Sequence, residues 1–304
     1  MPGHRSNSKT ETTSLFHAHR NRHLVERWRA AEFDCIELHR GSAITSEYPR
    51  HWHDELYLSA IVEGGGEVDC VGASYVTAPG TLVLIPSGEI HADRKRRCSF
   101  RCMFIELPAL QAALEQFTEQ GLPGINFRTE MIHEARTMRS FLQLHRSLEE
   151  RESRSGDDFG VLSFFHRLVR QHSTAGMRAV RDGNEDFAVQ RTRRFLDEHY
   201  AESVSLLDLA RLTGLSPYYL HRSFCRKIGM PPHAYQVQVR VTRARSLLRR
   251  GRTISDAASS AGFVDQSHFS RHFKRLTGVT PGQFLQTEQE RTRRCEPNAL
   301  ASLA

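Results

Sequence analysis

The chain has 304 residues, long enough for two domains each with its own core, and its 39% hydrophobic content excludes a fibrous or low-complexity protein. No apolar run approaches the roughly 20 residues that span a bilayer, and the polar N-terminal stretch has no hydrophobic signal core, so a cytoplasmic protein without membrane contact is expected. The net charge of +7 is uneven: Phe187 to Arg294 carries 19 Lys and Arg against 8 Asp and Glu, whereas the rest carries 23 against 27, so the positive charge sits in the last third.

Residues 1–30 lack periodicity and read as a flexible arm. From Phe33 to Leu107 the pattern is all-β, with apolar runs at Leu56 to Val62, Gly66 to Val71 and Thr81 to Ile85. Turn signals at Glu63-Gly64-Gly65, Pro79-Gly80 and Pro86-Ser87-Gly88 punctuate them, as in a small sandwich or barrel. Helical periodicity follows. Leu110, Ala113, Leu114 and Phe117 mark one helix, Met131, Met138, Phe141, Leu142 and Leu148 a longer one, and Val161 to Val169 a third. A first domain therefore spans residues 31–175, and the polar residues 176–186 read as a linker. The six cysteines (Cys35, Cys70, Cys98, Cys102, Cys225 and Cys295) form no Cys-x-x-Cys pair and read as reduced thiols.

The second domain, residues 187–288, contains a near-duplication. Arg222, Phe224, Arg226, Gly229, Pro232 and Tyr235 recur 49 residues later as Arg271, Phe273, Arg275, Gly278, Pro281 and Phe284. Each copy follows a short apolar helix ending in Gly, Leu206 to Gly214 and Ile254 to Gly262. The predicted unit is thus helix, tight turn, basic helix, twice: a tandem helix-turn-helix. Pro231-Pro232 opens a helix between the units, its apolar stripe is Val237, Val241, Ala244 and Leu248, and Gly251 ends it. A rod of that kind holds two basic helices at a fixed separation, as successive major grooves on one face of DNA require. Residues 289–304 read as a disordered tail.

In the first unit Ser216 suits the N-cap and Pro217 the first helical position, while Leu220 and Phe224 face inward. That leaves Tyr218, His221, Arg222 and Arg226 outside. In the second unit Asp265 caps and Phe269 and Phe273 face inward, leaving Gln266, Ser267, Ser270, Arg271 and Lys274 exposed. Arg reads guanine bidentately and Gln reads adenine, so Arg222, Arg271 and Gln266 are the candidate base readers. Arg226, Arg275 and Lys274 fit phosphate contacts better.

These residues carry a resemblance. Leu209-Ala210, Gly214-Leu215-Ser216, Gly262-Phe263, Phe269-Ser270-Arg271 and Gly278-Val279-Thr280-Pro281 resemble the AraC/XylS family of bacterial transcription regulators across the whole two-unit domain. The resemblance implies an all-helical DNA-binding domain joined to a sensor, acting most often as a ligand-responsive activator at promoter DNA with RNA polymerase as a partner. It also implies that helices following the sensor's β region form a homodimer interface. One departure is His221, where the family commonly has an amide.

The β region resembles a cupin: Gly80, Pro86, Gly88 and His91 fit the spacing of its second motif, and His51-x-His53 supplies the first pair. The fold expected is therefore α+β in two domains, a cupin-like β-barrel with flanking helices followed by the all-α tandem helix-turn-helix. In metal-binding cupins such histidines join a Glu. Here Tyr57 and Leu58 stand where that Glu is expected, and only Glu55 shares a strand face with His51 and His53 by period two. A metal-free effector pocket lined by His51, His53, Tyr57 and His91 is the favoured reading, with no cofactor and no catalysis. The alternatives are a metal that helps hold an effector, a metal-dependent cupin enzyme with an accessory DNA-binding domain, and a purely structural barrel in a constitutive DNA binder.

Overall fold

A computed structural model describes residues 25–29, 35–115, 125–149, 157–173 and 184–295. Strands β1 (Val25–Arg29), β2 (Ile36–His51), β3 (Leu56–Cys70), β4 (Ala73–Thr77), β5 (Leu82–Ile85), β6 (His91–Ile105) and β7 (Glu130–Ile132) form one antiparallel sheet. Its order is β1-β2-β6-β3-β5-β7, with β4 paired to β3. The three long strands bend at one level. Register shifts occur at Gly41/Ile44 in β2 and from Ile61 to Gly65 in β3, and both regions pair with β6 around Ser99 and Phe100. Bulges of this kind sharpen the local twist and fold a sheet over on itself.

Period-two alternation then separates two cores. Leu56, Leu58, Leu84, Met103 and Ile105 face outward against Phe141 and Leu144 of α2 (Ala135–Glu149) and Phe165 and Leu168 of α3 (Asp157–His172). Tyr57, Ile61, Val83, Phe100 and Cys102 face the concave side. The helix α1 (Leu107–Glu115) adds Leu110 to the outer core.

Several expectations need correction. Glu63-Gly64-Gly65 does not end a strand: it is a bulge inside β3, because β6 is long enough to pair on both sides of it. Met131 lies in β7, paired with Val83, and not in the helix that begins at Ala135. Residues 25–29, assigned to the arm, form an edge strand on β2, so the ladder extends the sensor domain beyond residue 31. The rest of the arm, residues 1–24, Phe117, and residues 176–183 of the linker lie outside the described residues. Residues 184–186 open the helix α4 (Asn184–Glu198), and residues 289–295 of the supposed tail continue the helix α10 (Pro281–Cys295).

The C-terminal domain follows the tandem plan. Helices α5 (Leu206–Thr213) and α6 (Pro217–Ile228) form the first unit, and α8 (Ile254–Ser260) and α9 (Gln266–Thr277) the second. Ser205 and Asp208 make a reciprocal capping box on α5, while Ser216, Thr253 and Asp265 cap the other three through their side-chain oxygens. The 18-residue α7 (Pro232–Arg249), about 27 Å long at 1.5 Å per residue, lies between the units. It serves both cores. Tyr235 and Val239 pack with Leu220 and Phe224, and Val241, Ala244 and Leu248 pack with Phe269 and Phe273.

Candidate effector cavity and DNA-reading helices

The outer face of α6 carries Tyr218, His221, Arg222 and Arg226 exposed, Tyr218 at 74%. On α9, Gln266, Ser267, Arg271 and Lys274 are exposed, whereas Ser270 is half-buried, because it adjoins the fully buried Phe269 on the flank of the helix. Leu220, Phe224, Phe269 and Phe273 are wholly buried. Each basic helix is therefore pinned by two aromatic or aliphatic anchors and presents cations to solvent, the arrangement that direct base readout needs.

At the open end of the sheet lies a cavity of about 140 Å³, and the C-terminal domain closes it. From the sensor side it is lined by the four sequence-predicted residues His51, His53, Tyr57 and His91, together with Phe100 and Phe104. From the other domain come Gln238, Val241 and Arg245 of α7, Leu276 and Thr277 of α9, and Phe284 of α10. The three imidazoles cluster with ring centres 4.4 Å (His51 to His91), 5.1 Å (His53 to His91) and 6.3 Å (His51 to His53) apart. Each is oriented by its Nδ1–H, which donates to a backbone carbonyl: Pro49 at 2.8 Å, Glu55 at 2.7 Å and Glu89 at 2.9 Å for His51, His53 and His91 respectively.

Burial disfavours the charged imidazolium, so all three pKa values fall. That of His53 falls to about 4, and that of His91 drops well below 6.5, burial acting first and the other two imidazoles adding to it. Burial raises the Tyr57 hydroxyl well above 10 and the Cys102 thiol to about 12, so both stay protonated. For Lys95 burial works against the ammonium, yet its ion pair with Asp93 outweighs burial and raises the pKa. Among the described residues Cys35, Cys70, Cys98, Cys102 and Cys225 form no disulfide.

Glu55 does not join the histidines. The chain leaves the strand after His51, so period-two alternation no longer applies, and the carboxylate turns to the other domain, where Arg245 holds it at 2.6 Å. Burial alone would raise its pKa; the charges of Arg245, His53 and Arg249 together outweigh this and lower it. Among the described residues no group of three or more His, Cys, Asp or Glu is arranged to hold a metal ion.

The loop from His51 to Glu55 is also a joint between the domains. Trp52 stacks on Tyr235 with ring centres 4.8 Å apart, and Gln238 donates to the Trp52 carbonyl at 2.9 Å. The duplicated glycines are docking points as well. Gly229, the left-handed C-cap of α6, comes so close to Val71 that a Cβ would stand 2.5 Å from its methyl. Gly278, the corresponding cap of α9, sits against Tyr48 and Arg27, and Arg27 donates to the Thr277 carbonyl at 3.3 Å. Both basic helices thus end on the sensor domain.

The histidines and the helix α7 itself were legible in the sequence, but the side of α7 that faces the cavity was not. Gln238, Thr242, Arg245 and Arg249 recur at spacings of four, three and four, a polar stripe one residue out of phase with the apolar one. That stripe was the available signal, and three of its members line the cavity.

The sensor's core and the cavity wall from Glu37 to Phe104 fall within a match to the AraC-like ligand binding domain, which covers residues 36–169, and a helix-turn-helix domain matches residues 209–287. The chain is 31% identical over 238 residues to the HTH-type transcriptional regulator YbfI of Bacillus subtilis (strain 168), covering 77% of this chain and 85% of that one. The chain belongs to the AraC family of transcription regulators. It is also 26% identical to the transcriptional activator RhaS of Citrobacter koseri, covering 79% and 88% of the two chains. In fold it is similar to ToxT from Vibrio cholerae, with a TM-score of 0.50 at 14% identity over 83% of this chain and 96% of that one. This family member is a DNA-binding transcription regulator with a ligand-binding sensor domain. No described helix is long and apolar enough to cross a membrane.

Proposed function

We propose that this regulator senses a small molecule in the cavity at the domain junction and converts occupancy into a change in how α6 and α9 engage promoter DNA. The observation that carries the reading is the shared wall: His51 and His53 line the cavity while Trp52 and Glu55, within the same five residues, grip Tyr235, Gln238 and Arg245 of the DNA-binding domain. An occupant displacing the histidines moves that grip. It shifts the equilibrium only to the extent that it binds the docked and undocked arrangements with different affinity.

In this reading Arg222, Arg271 and Gln266 read base edges, Tyr218, His221, Ser267 and Ser270 line the interface, and Arg226 and Lys274 hold phosphates. The protein acts as an activator in the cytoplasm, with RNA polymerase as a partner and a homodimer built on the helices that follow the sheet. A second promoter half-site would then be engaged in an effectively intramolecular step. Binding rather than catalysis is its mode of action, since the carboxylate needed to complete a cupin metal site is held by Arg245.

The test is a mobility shift of promoter fragments, titrated in salt, with Arg222→Ala and Arg271→Ala combined. Sequence preference disappears while salt-dependent residual binding remains; unchanged specificity rejects the assigned reading helices.

A further inference from the structure

The two helix-turn-helix units differ in their turns. In the first, the left-handed Gly214 leads through Leu215 straight to Ser216, the N-cap of α6. In the second, Gly262 (φ +80°) is followed by Phe263 and then by Val264 before the cap Asp265, so this turn is one residue longer. Phe263 takes the inward place of Leu215: it is buried in the second core, as Leu215 packs against the first. Adjacent residues of an extended segment point to opposite sides, and Asp265 itself is extended (φ −154°, ψ 167°). The added residue is therefore turned out. Val264 is 89% exposed, the highest value among the large apolar side chains of the described residues.

Its position is fixed on both sides. A Cβ on Gly262 would stand 2.2 Å from the Ala201 carbonyl oxygen, so the turn rests on the loop before α5 and has no room to shift. The Phe263 ring lies 5.2 Å from that of Phe269, and Asp265 accepts from the His268 backbone N–H at 2.6 Å. Val264, Asp265, Gln266 and Ser267 are exposed in succession and form the N-terminal edge of α9. This is the end at which the second helix of such a unit meets base edges in the major groove. A lone exposed valine elsewhere on a surface calls for no explanation. At this edge it has a matching chemistry. The major groove offers the C5-methyl of thymine as an apolar contact, and a β-branched side chain with one stiff torsion meets it at little cost in ordering. The first unit has no counterpart, because Leu215 is half-buried and its cap follows directly.

Resting on the assignment of α9 to base reading, we propose that Val264 is a further specificity-determining residue. It packs on the C5-methyl of a thymine flanking the bases met by Gln266 and Arg271, and favours thymine there over bases that lack the methyl.

The probe is a set of duplexes enriched by the full wild-type chain from a randomised pool. Each thymine of the enriched site is replaced in turn by deoxyuridine, which lacks only the C5-methyl, and affinity is read by mobility shift. One thymine in the patch that Arg271→Ala weakens should lose about fourfold on replacement, the worth of a methyl group taken out of water. With Val264→Ala that position binds thymine and deoxyuridine equally, and Val264→Thr, which keeps one γ-methyl, retains part of the difference. Because the side chain is exposed and uncharged, the melting temperature and the slope of affinity against salt stay as in the wild type. The proposal is overturned if no deoxyuridine effect depends on Val264, or if Val264→Ala weakens all duplexes alike, the mark of a purely structural turn. Unchanged DNA binding with a fall in transcription alone also overturns it, and marks a contact with another protein. Should Arg271→Ala abolish a patch while the deoxyuridine effects ignore Val264, this proposal fails and α9 remains a reader; a site indifferent to Arg271→Ala sinks the α9 assignment and this proposal with it.

Discussion

Arg245→Ala tests the domain joint directly. Glu55 is 4% exposed, and its Oε1 accepts from Arg245 at 2.6 Å. Removing one partner of a buried pair typically costs about 3–5 kcal/mol because the remaining charge is left uncompensated. Arg249 lies 3.7 Å from the same oxygen and offsets part of that, so we expect about 2–3 kcal/mol against the docked arrangement. In a cycle of Glu55→Leu, Arg245→Met and the two together, the apolar double replacement is close to neutral, giving a double-mutant coupling of at least roughly 2 kcal/mol. Trp52 stacked on Tyr235 reports docking by its fluorescence, with Trp28→Phe removing the other indole. Urea titration of the four cycle members in that background yields the coupling. A value below about 0.5 kcal/mol, the usual additivity error for independent sites, refutes the latch.

Gly229→Ala and Gly214→Ala share a left-handed backbone, φ +87° and +70°, but only Gly229 faces a neighbour, so Gly229→Ala should loosen Trp52 docking and lower stability more than the roughly 1–2 kcal/mol of backbone strain common to both. Equal melting temperatures and equal Trp52 signals for the two would contradict the close approach. Phe273→Ala should cost about 3–5 kcal/mol in chemical denaturation because its ring is wholly buried among Phe269 and Phe284. His53 has a folded pKa of about 4 against 6.5 unfolded, so its contribution is fully present above pH 6.5 and is lost as the pH falls towards 4, at up to about 1.4 kcal/mol per unit. Unfolding midpoints between pH 7 and 4.5 should therefore decline less steeply in His53→Gln; parallel curves would refute the assignment.

The tandem helices were legible because their signals are local. Ser216 and Asp265 cap where helices start, and the Leu220/Phe224 and Phe269/Phe273 pairs point inward at a spacing of four. The four cavity residues were legible because the turn spacing around His91 and the His51-x-His53 pair are short-range patterns as well. What escaped was long-range. A strand that runs through Glu63-Gly64-Gly65 depends on the length of β6, and Glu55 leaves the histidines because Arg245, 190 residues away, claims it. The glycines and aromatic positions of the repeat look like fold markers in the sequence. In the structure Gly229, Gly278, Tyr235 and Phe284 also meet the sensor domain or its cavity, a second use that no spacing discloses.

Hydroxyl-radical footprinting at saturating protein is the most direct test of the central claim that α6 and α9 read DNA together from a shared support. The wild-type chain should protect two patches about one helical turn, roughly 10 base pairs, apart on one face, with Arg222→Ala weakening one patch and Arg271→Ala the other. Protection confined to a single groove, or both variants weakening the same patch, would contradict it.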